Sequence, residues 1–79
     1  MTGDELRAAR RTLGEAWGLG RPLHMSELGR VLGLTGRDPG QSVGDYESGK
    51  TRISGPLALA IELMLAGGRP ADLEARLRG

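Results

Sequence analysis

The chain has no cysteine and no phenylalanine, and its aromatics amount to Trp17 and Tyr46. Without thiols there is neither a disulfide nor a thiolate metal site, so packing alone must stabilise the fold. The absence agrees with a reducing cytoplasm. So few aromatics make a poor stacking platform for single-stranded nucleic acid. Long apolar runs are missing as well: nothing approaches the ~20 residues needed to cross a bilayer. The opening Met1-Thr2-Gly3-Asp4-Glu5 is acidic and lacks the basic-then-apolar layout of a secretion signal. No stretch alternates with period two, and no hairpin turn separates β-branched runs, so no strand is expected. Catalysis lacks its usual parts too. His24 is the sole histidine, no glycine-rich phosphate loop follows a strand, and no metal-ligand spacing occurs. The expectation is one non-enzymatic cytoplasmic domain over residues 1–79, with no cofactor and no metal.

Eleven Lys and Arg stand against ten Asp and Glu, a net charge of +1. That is weak support for a nucleic-acid partner, which usually goes with a strongly basic domain. All the cations except Lys50 are arginines, whose planar fork suits phosphate and guanine.

The pattern predicts an all-α fold of five short helices. Thr2-Gly3-Asp4-Glu5 is a capping box, and Leu6, Ala9, Leu13 and Trp17 form an apolar stripe on a helix over about Gly3–Ala16. Arg7, Arg10 and Arg11 lie off that stripe, on a face that is either solvated or laid along a DNA backbone. After the linker Gly18-Leu19-Gly20-Arg21-Pro22, a second helix runs from His24 or Met25 to Leu32, with Met25, Leu28, Val31 and Leu32 at helical spacing. Gly29 within it costs about 1 kcal/mol against alanine, which close approach of another helix would explain. The third helix, Pro39–Ser48, has Asp38 as N-cap, Pro39 in its first turn, Gln41 in the capping-box position and Gly49 as a left-handed stop. Only Val43 and Tyr46 on it are substantially apolar, so its other face needs an outside partner. Ser54-Gly55-Pro56 starts a fourth helix reaching Ala66, and a fifth spans about Pro70–Arg78. From Leu57 to Ala66 every residue but Glu62 is apolar. Leu57, Ile61, Met64 and Leu65 suit the core, which leaves Leu59 and Leu63 for a second surface. Two readings stand: Leu59, Leu63, Leu73 and Leu77 form a dimer interface in a C-terminal region over about 57–78, or the last helix folds back over Leu59 and Leu63.

A helix, a connection and a polar helix over about 24–48, braced on both sides, is a helix-turn-helix layout. Glu5-Leu6-Arg7-Ala8-Ala9-Arg10-Arg11-Thr12-Leu13-Gly14 is similar to the first helix of the Cro/C1-type helix-turn-helix regulators. Glu27-Leu28-Gly29-Arg30-Val31-Leu32-Gly33-Leu34 resembles their second helix, of form E-L-A-x-x-L-G-V/L. Val43-Gly44-Asp45-Tyr46-Glu47-Ser48-Gly49-Lys50-Thr51-Arg52-Ile53 resembles V-S-x-W-E-x-G-x-x-x-I, the most specific part of the likeness. It departs from the family in a longer Gly33–Val43 stretch and in Gly44 and Asp45 after the valine.

The resemblance implies a lambda-repressor-like domain whose third helix enters the major groove. It implies a homodimeric, sequence-specific repressor of phage or mobile-element kind, bound to an inverted repeat and plausibly autoregulatory. The alternative is a protein–protein module or antitoxin with the same fold. Base contacts are expected from Arg37, Gln41, Ser42 and Asp45. Gln pairs bidentately with adenine, Ser serves any base, and Asp accepts from cytosine. Gln41 is equally readable as a capping-box acceptor, and Asp45 as a surface partner of Arg37 or Arg52. Phosphate contacts are expected from Lys50, Thr51 and Arg52 after the third helix, and from Arg21, His24 and Ser26 at the start of the second. Glu47 is expected to be structural, receiving an N–H or an arginine.

Overall fold

The computed structural model describes residues 1–34 and 38–79, and all of its regular structure is helical: α1 Gly3–Ala16, α2 Met25–Val31, α3 Pro39–Ser48, α4 Gly55–Leu65 and α5 Leu73–Arg78. Each start has a local cause. The Thr2 hydroxyl accepts the Glu5 N–H at 3.1 Å while the Glu5 carboxylate accepts the Thr2 N–H at 2.9 Å. Asp38 Oδ1 accepts the Gly40 and Gln41 N–H groups at 3.0 and 3.3 Å, and Ser54 caps α4 through Leu57 N–H at 3.4 Å. Gly49 closes α3 in the left-handed conformation, φ 83°, where a side chain is strained. The fifth helix starts later than the sequence suggests, because Pro70, Ala71 and Asp72 form a turn closed by Leu73 N–H to Pro70 C=O at 3.2 Å.

The core takes at least one side chain from every helix: Leu6, Ala9 and Leu13 from α1, Leu28 and Val31 from α2, Val43 from α3, Ile61 and Met64 from α4, Leu73 from α5. Leu23, in the connection before α2, is fully buried. Its N–H donates to Arg10 C=O at 3.1 Å and its C=O accepts from Arg10 Nη1 at 2.7 Å, so the linker is pinned to α1 at this point. Each such leucine contributes about 1.5–3 kcal/mol by leaving water. The radius of gyration, 11.3 Å, is near the roughly 11.6 Å expected of one folded unit of this length.

Three contacts set the position of α3. At Gly29 of α2 an added Cβ would lie 2.5 Å from Pro39 C=O, and at Gly3 of α1 one would lie 2.1 Å from Glu47 C=O. Glycine at these places lets both ends of α3 touch the neighbouring backbones, the close approach expected for Gly29. The third contact is ionic. Glu47, with its side chain only 2% exposed, accepts from Arg10 Nε at 2.7 Å, Arg10 Nη2 at 3.1 Å and Arg7 Nε at 3.3 Å. This meets the expectation of a structural Glu47 holding an arginine. Neither reading of Arg10 as a solvated or DNA-facing residue fits, because its side chain is 15% exposed and its guanidinium is occupied by α3 and the linker.

Two expectations for the C-terminal region are corrected. Leu65 does not face the core: it is 40% exposed, because the buried arc of α4 is narrow and runs through Leu57, Ile61 and Met64. Leu73 does not wait for a second subunit either. It is 7% exposed within its own chain's core, and Leu77 is half-buried against that core. The fifth helix does fold back, but onto α2, leaving Leu59 and Leu63 uncovered at 55% and 58% exposure. A reciprocal arginine clasp holds the pair. Arg30 of α2 donates to the C=O groups of Arg76 and Leu77 at 3.0 and 2.7 Å, while Arg76 of α5 donates to Val31 C=O at 3.0 Å. Each helix thereby satisfies carbonyls that its neighbour's last turn leaves without a helical partner.

Candidate functional site

The outward face of α3 is polar because its apolar residues are used inward. Val43 is fully buried and Tyr46 packs half-buried on the core. What remains outward is Gln41, Ser48 and, half-exposed, Ser42, Gly44 and Asp45. The Gln41 side chain does not complete a capping box. Asp38 alone caps the helix, and Gln41 Nε2 donates instead to Asp45 Oδ1 at 3.0 Å, one turn on. Asp45 is thus partnered by Gln41 rather than by Arg52. The expectations for Arg37, both as a base contact and as a partner of Asp45, lie outside the described residues.

Beyond α3 the chain turns back along the helix end. Thr51 N–H donates to Asp45 C=O at 3.1 Å, Ser48 Oγ donates to the same carbonyl at 3.2 Å, and Lys50 N–H donates to Ser48 Oγ at 3.4 Å. The side chains of Lys50, Thr51 and Arg52 are left exposed. The structure brings this loop together with α3 through backbone hydrogen bonds, so its two cations are held at one end of the polar face.

At the start of α2 the three expected phosphate contacts part company. His24 is exposed, its imidazole 67% accessible. Ser26 is half-buried, and its backbone N–H is close to α3: a Cβ on Gly40 would lie 3.1 Å from Ser26 N. Arg21 is differently employed from the expectation. Its Nη1 donates to Glu27 Oε1 at 2.8 Å and to Pro22 C=O at 2.9 Å, and its Nη2 donates to Glu27 Oε2 at 3.0 Å. The physical reason is Glu27, a buried carboxylate that also accepts the His24 N–H at 2.7 Å. The Arg21 guanidinium above all, helped by that backbone N–H, outweighs burial and holds the Glu27 carboxyl at about 2. A phosphate would have to displace this fork before Arg21 could serve it.

One member of the apolar spacing on α2 reaches the surface. Met25 is 37% exposed, and its Sδ lies 3.5 Å from the place a Cβ on Gly44 would occupy. Met25 thus lies beside Gly44 at the edge of the polar face.

Apolar exposure is concentrated elsewhere. Leu59 and Leu63 project from α4, and Leu63 borders a shallow recess of about 380 Å³ whose walls include Val31, Ala60, Met64 and Pro70. Among the described residues no cluster of His, Asp or Glu is placed to hold a metal ion, and no helix is long and apolar enough to cross a membrane. No protein-family model, curated protein or solved structure matches the chain.

Proposed function

We propose that the protein is a sequence-specific double-stranded DNA-binding repressor of Cro/C1-like helix-turn-helix type, with α2 and α3 as the helix pair and α3 entering the major groove. The observation that carries this reading is the division of the surface. The outward face of α3 carries the polar Gln41, Ser42, Asp45 and Ser48, ends in the exposed Lys50 and Arg52, and is separate from the two most exposed leucines, Leu59 and Leu63 on α4. A major-groove helix needs hydrogen-bonding side chains over its length and cations at its margins for phosphate. Gln41, Ser42 and Asp45 then face bases, while Lys50, Thr51, Arg52 and His24 face the backbone. Leu59, Leu63 and the recess beside them support a homodimer, whose half-sites would be spaced about 34–36 Å apart on an inverted repeat. Such a protein would act by occupancy, covering its own promoter in a phage or mobile element.

A second reading, a protein-binding module or antitoxin, is favoured by the acidic Asp45 in mid-helix, which repels phosphate. Retardation of the DNA upstream of the gene, measured against salt, separates the two. A DNA-binding protein loses affinity steeply, with a log–log slope of about −0.9 per phosphate neutralised. Arg52→Ala should flatten that slope by about one while weakening matched and scrambled sites alike. Absence of retardation at low salt would refute the DNA reading.

A further inference from the structure

We propose that Asp45 is a positioning residue that fixes the orientation of the Gln41 amide and so makes α3 select adenine over guanine at one operator position. The inference rests on the DNA-binding reading above and deepens it. Gln41 Nε2 and Asp45 Oδ1 are 3.0 Å apart, four residues along the same helix. A carboxylate offers acceptors only, so the atom facing it must be the amide nitrogen and cannot be Oε1. One N–H of the Gln41 amide is thereby directed along the helix to Asp45. With the N–H trans to the carbonyl engaged there, the other N–H and Oε1 lie side by side, as a donor beside an acceptor. Adenine presents the complement in the major groove, an N7 acceptor beside an N6 donor. Guanine presents two acceptors, N7 and O6, and its O6 would meet Oε1, acceptor against acceptor.

A free glutamine discriminates less, because its NH2 group can swing round to donate both N–H groups, one to N7 and one to O6 of guanine. Here Asp45 holds one of those N–H groups, which leaves a single donor for the two acceptors of guanine. On the open helix surface an i, i+4 pair of this kind is weak. In a groove emptied of water, freeing that N–H to serve guanine would leave the Asp45 carboxylate without its donor, and the cost rises accordingly. The discrimination is therefore expressed in the complex, where it is needed. The contact also explains how an acidic residue can stand in the middle of a DNA-reading helix: its partner is its own neighbour, and its place is beside bases rather than phosphates.

The test is selection of bound sequences from a pool of duplexes randomised over about 20 base pairs, with wild type, Asp45→Asn and Gln41→Ala. The wild-type protein should prefer adenine over guanine at one position of each half-site by roughly 5- to 150-fold, the range of a good bidentate pair. Asparagine has the shape of aspartate but can offer either an oxygen or an N–H, so Asp45→Asn should admit guanine at that position and leave every other position unchanged. Gln41→Ala should erase preference at the same position. Affinity for scrambled duplex should not fall in Asp45→Asn, because a negative charge is removed. If wild type selects a sequence and Asp45→Asn keeps the same preference everywhere, or loses affinity for all sequences alike, the proposal is overturned while the DNA reading stands. If wild type binds no duplex, both fall together.

Discussion

At the scale of single residues, two buried carboxylates govern the molecule. Glu47 joins α3 to α1 through Arg10, the two side chains being 2% and 15% exposed. Removing one partner of such a pair strands the other's charge, so Glu47→Ala should cost roughly 3 kcal/mol. Urea unfolding should show this as a lower midpoint, and a loss under about 1 kcal/mol, the ceiling for a surface pair, would remove Glu47 from that role. Glu27 makes a pH prediction. Its carboxyl is held at about 2 against an ordinary 4.5, chiefly by hydrogen bonds from Arg21. A carboxyl whose folded value is depressed gives stability that is fully present above the unfolded value and is lost as pH falls toward the folded one. The protein should therefore lose stability between about pH 4.5 and 2, and Glu27→Gln should flatten that part of the curve. An unchanged acid limb in the variant would show that other carboxyls set it.

At the scale of helices, local chemistry was legible and distant partners were not. The capping box at Thr2, the Asp38 and Ser54 caps, the proline-marked starts and the Gly49 stop are decided within a few residues, and α1 and α3 have the bounds the sequence suggests. Arg10 reads as a surface cation from its place off the apolar stripe. Only the packing of α3 thirty-seven residues away makes it a buried partner. The fifth helix reads from the sequence either as part of a dimer interface or as folded back over Leu59 and Leu63, because its docking on α2 depends on Arg30 and Arg76, whose acceptors across the pair are backbone carbonyls and leave no mark in sequence. Within the candidate site the residue types were legible, while the Gln41–Asp45 pairing and the occupied fork of Arg21 were not. Gly29 gives the test at this scale. Alanine normally stabilises a helix interior over glycine by up to about 1 kcal/mol. Gly29→Ala should instead lower the melting temperature, since its Cβ would press on Pro39 C=O at 2.5 Å. Gly44→Ala, whose Cβ would meet Met25 Sδ at 3.5 Å, should raise it. Equal rises in both would show that α3 can move away from α2 freely.

At the scale of the whole molecule, two surfaces of opposite character divide the work. In the proposed reading the polar face of α3 meets DNA and the leucines of α4 meet a second copy of the chain. Two leucines exposed at 55% and 58% on one helix suit a modest interface. Replacing both, Leu59→Glu with Leu63→Glu, should leave the fold intact, because neither contributes to the buried core. Sedimentation should then give a monomer mass where wild type gives a dimer. A monomer in wild type, or a dimer in the variant, would move the interface elsewhere.

The dominance of arginine has a practical consequence. Arg10, Arg21, Arg30 and Arg76 each serve two acceptors at once, in places a lysine's single ammonium head could not span. The framework is thereby built without lysine, and the chain's one lysine, Lys50, stands exposed on the loop that closes α3. Amine-reactive chemistry consequently has one side-chain target, already located at the edge of the proposed contact face. A fluorophore or cross-linker coupled there reports on whatever approaches α3, with no substitution in the protein.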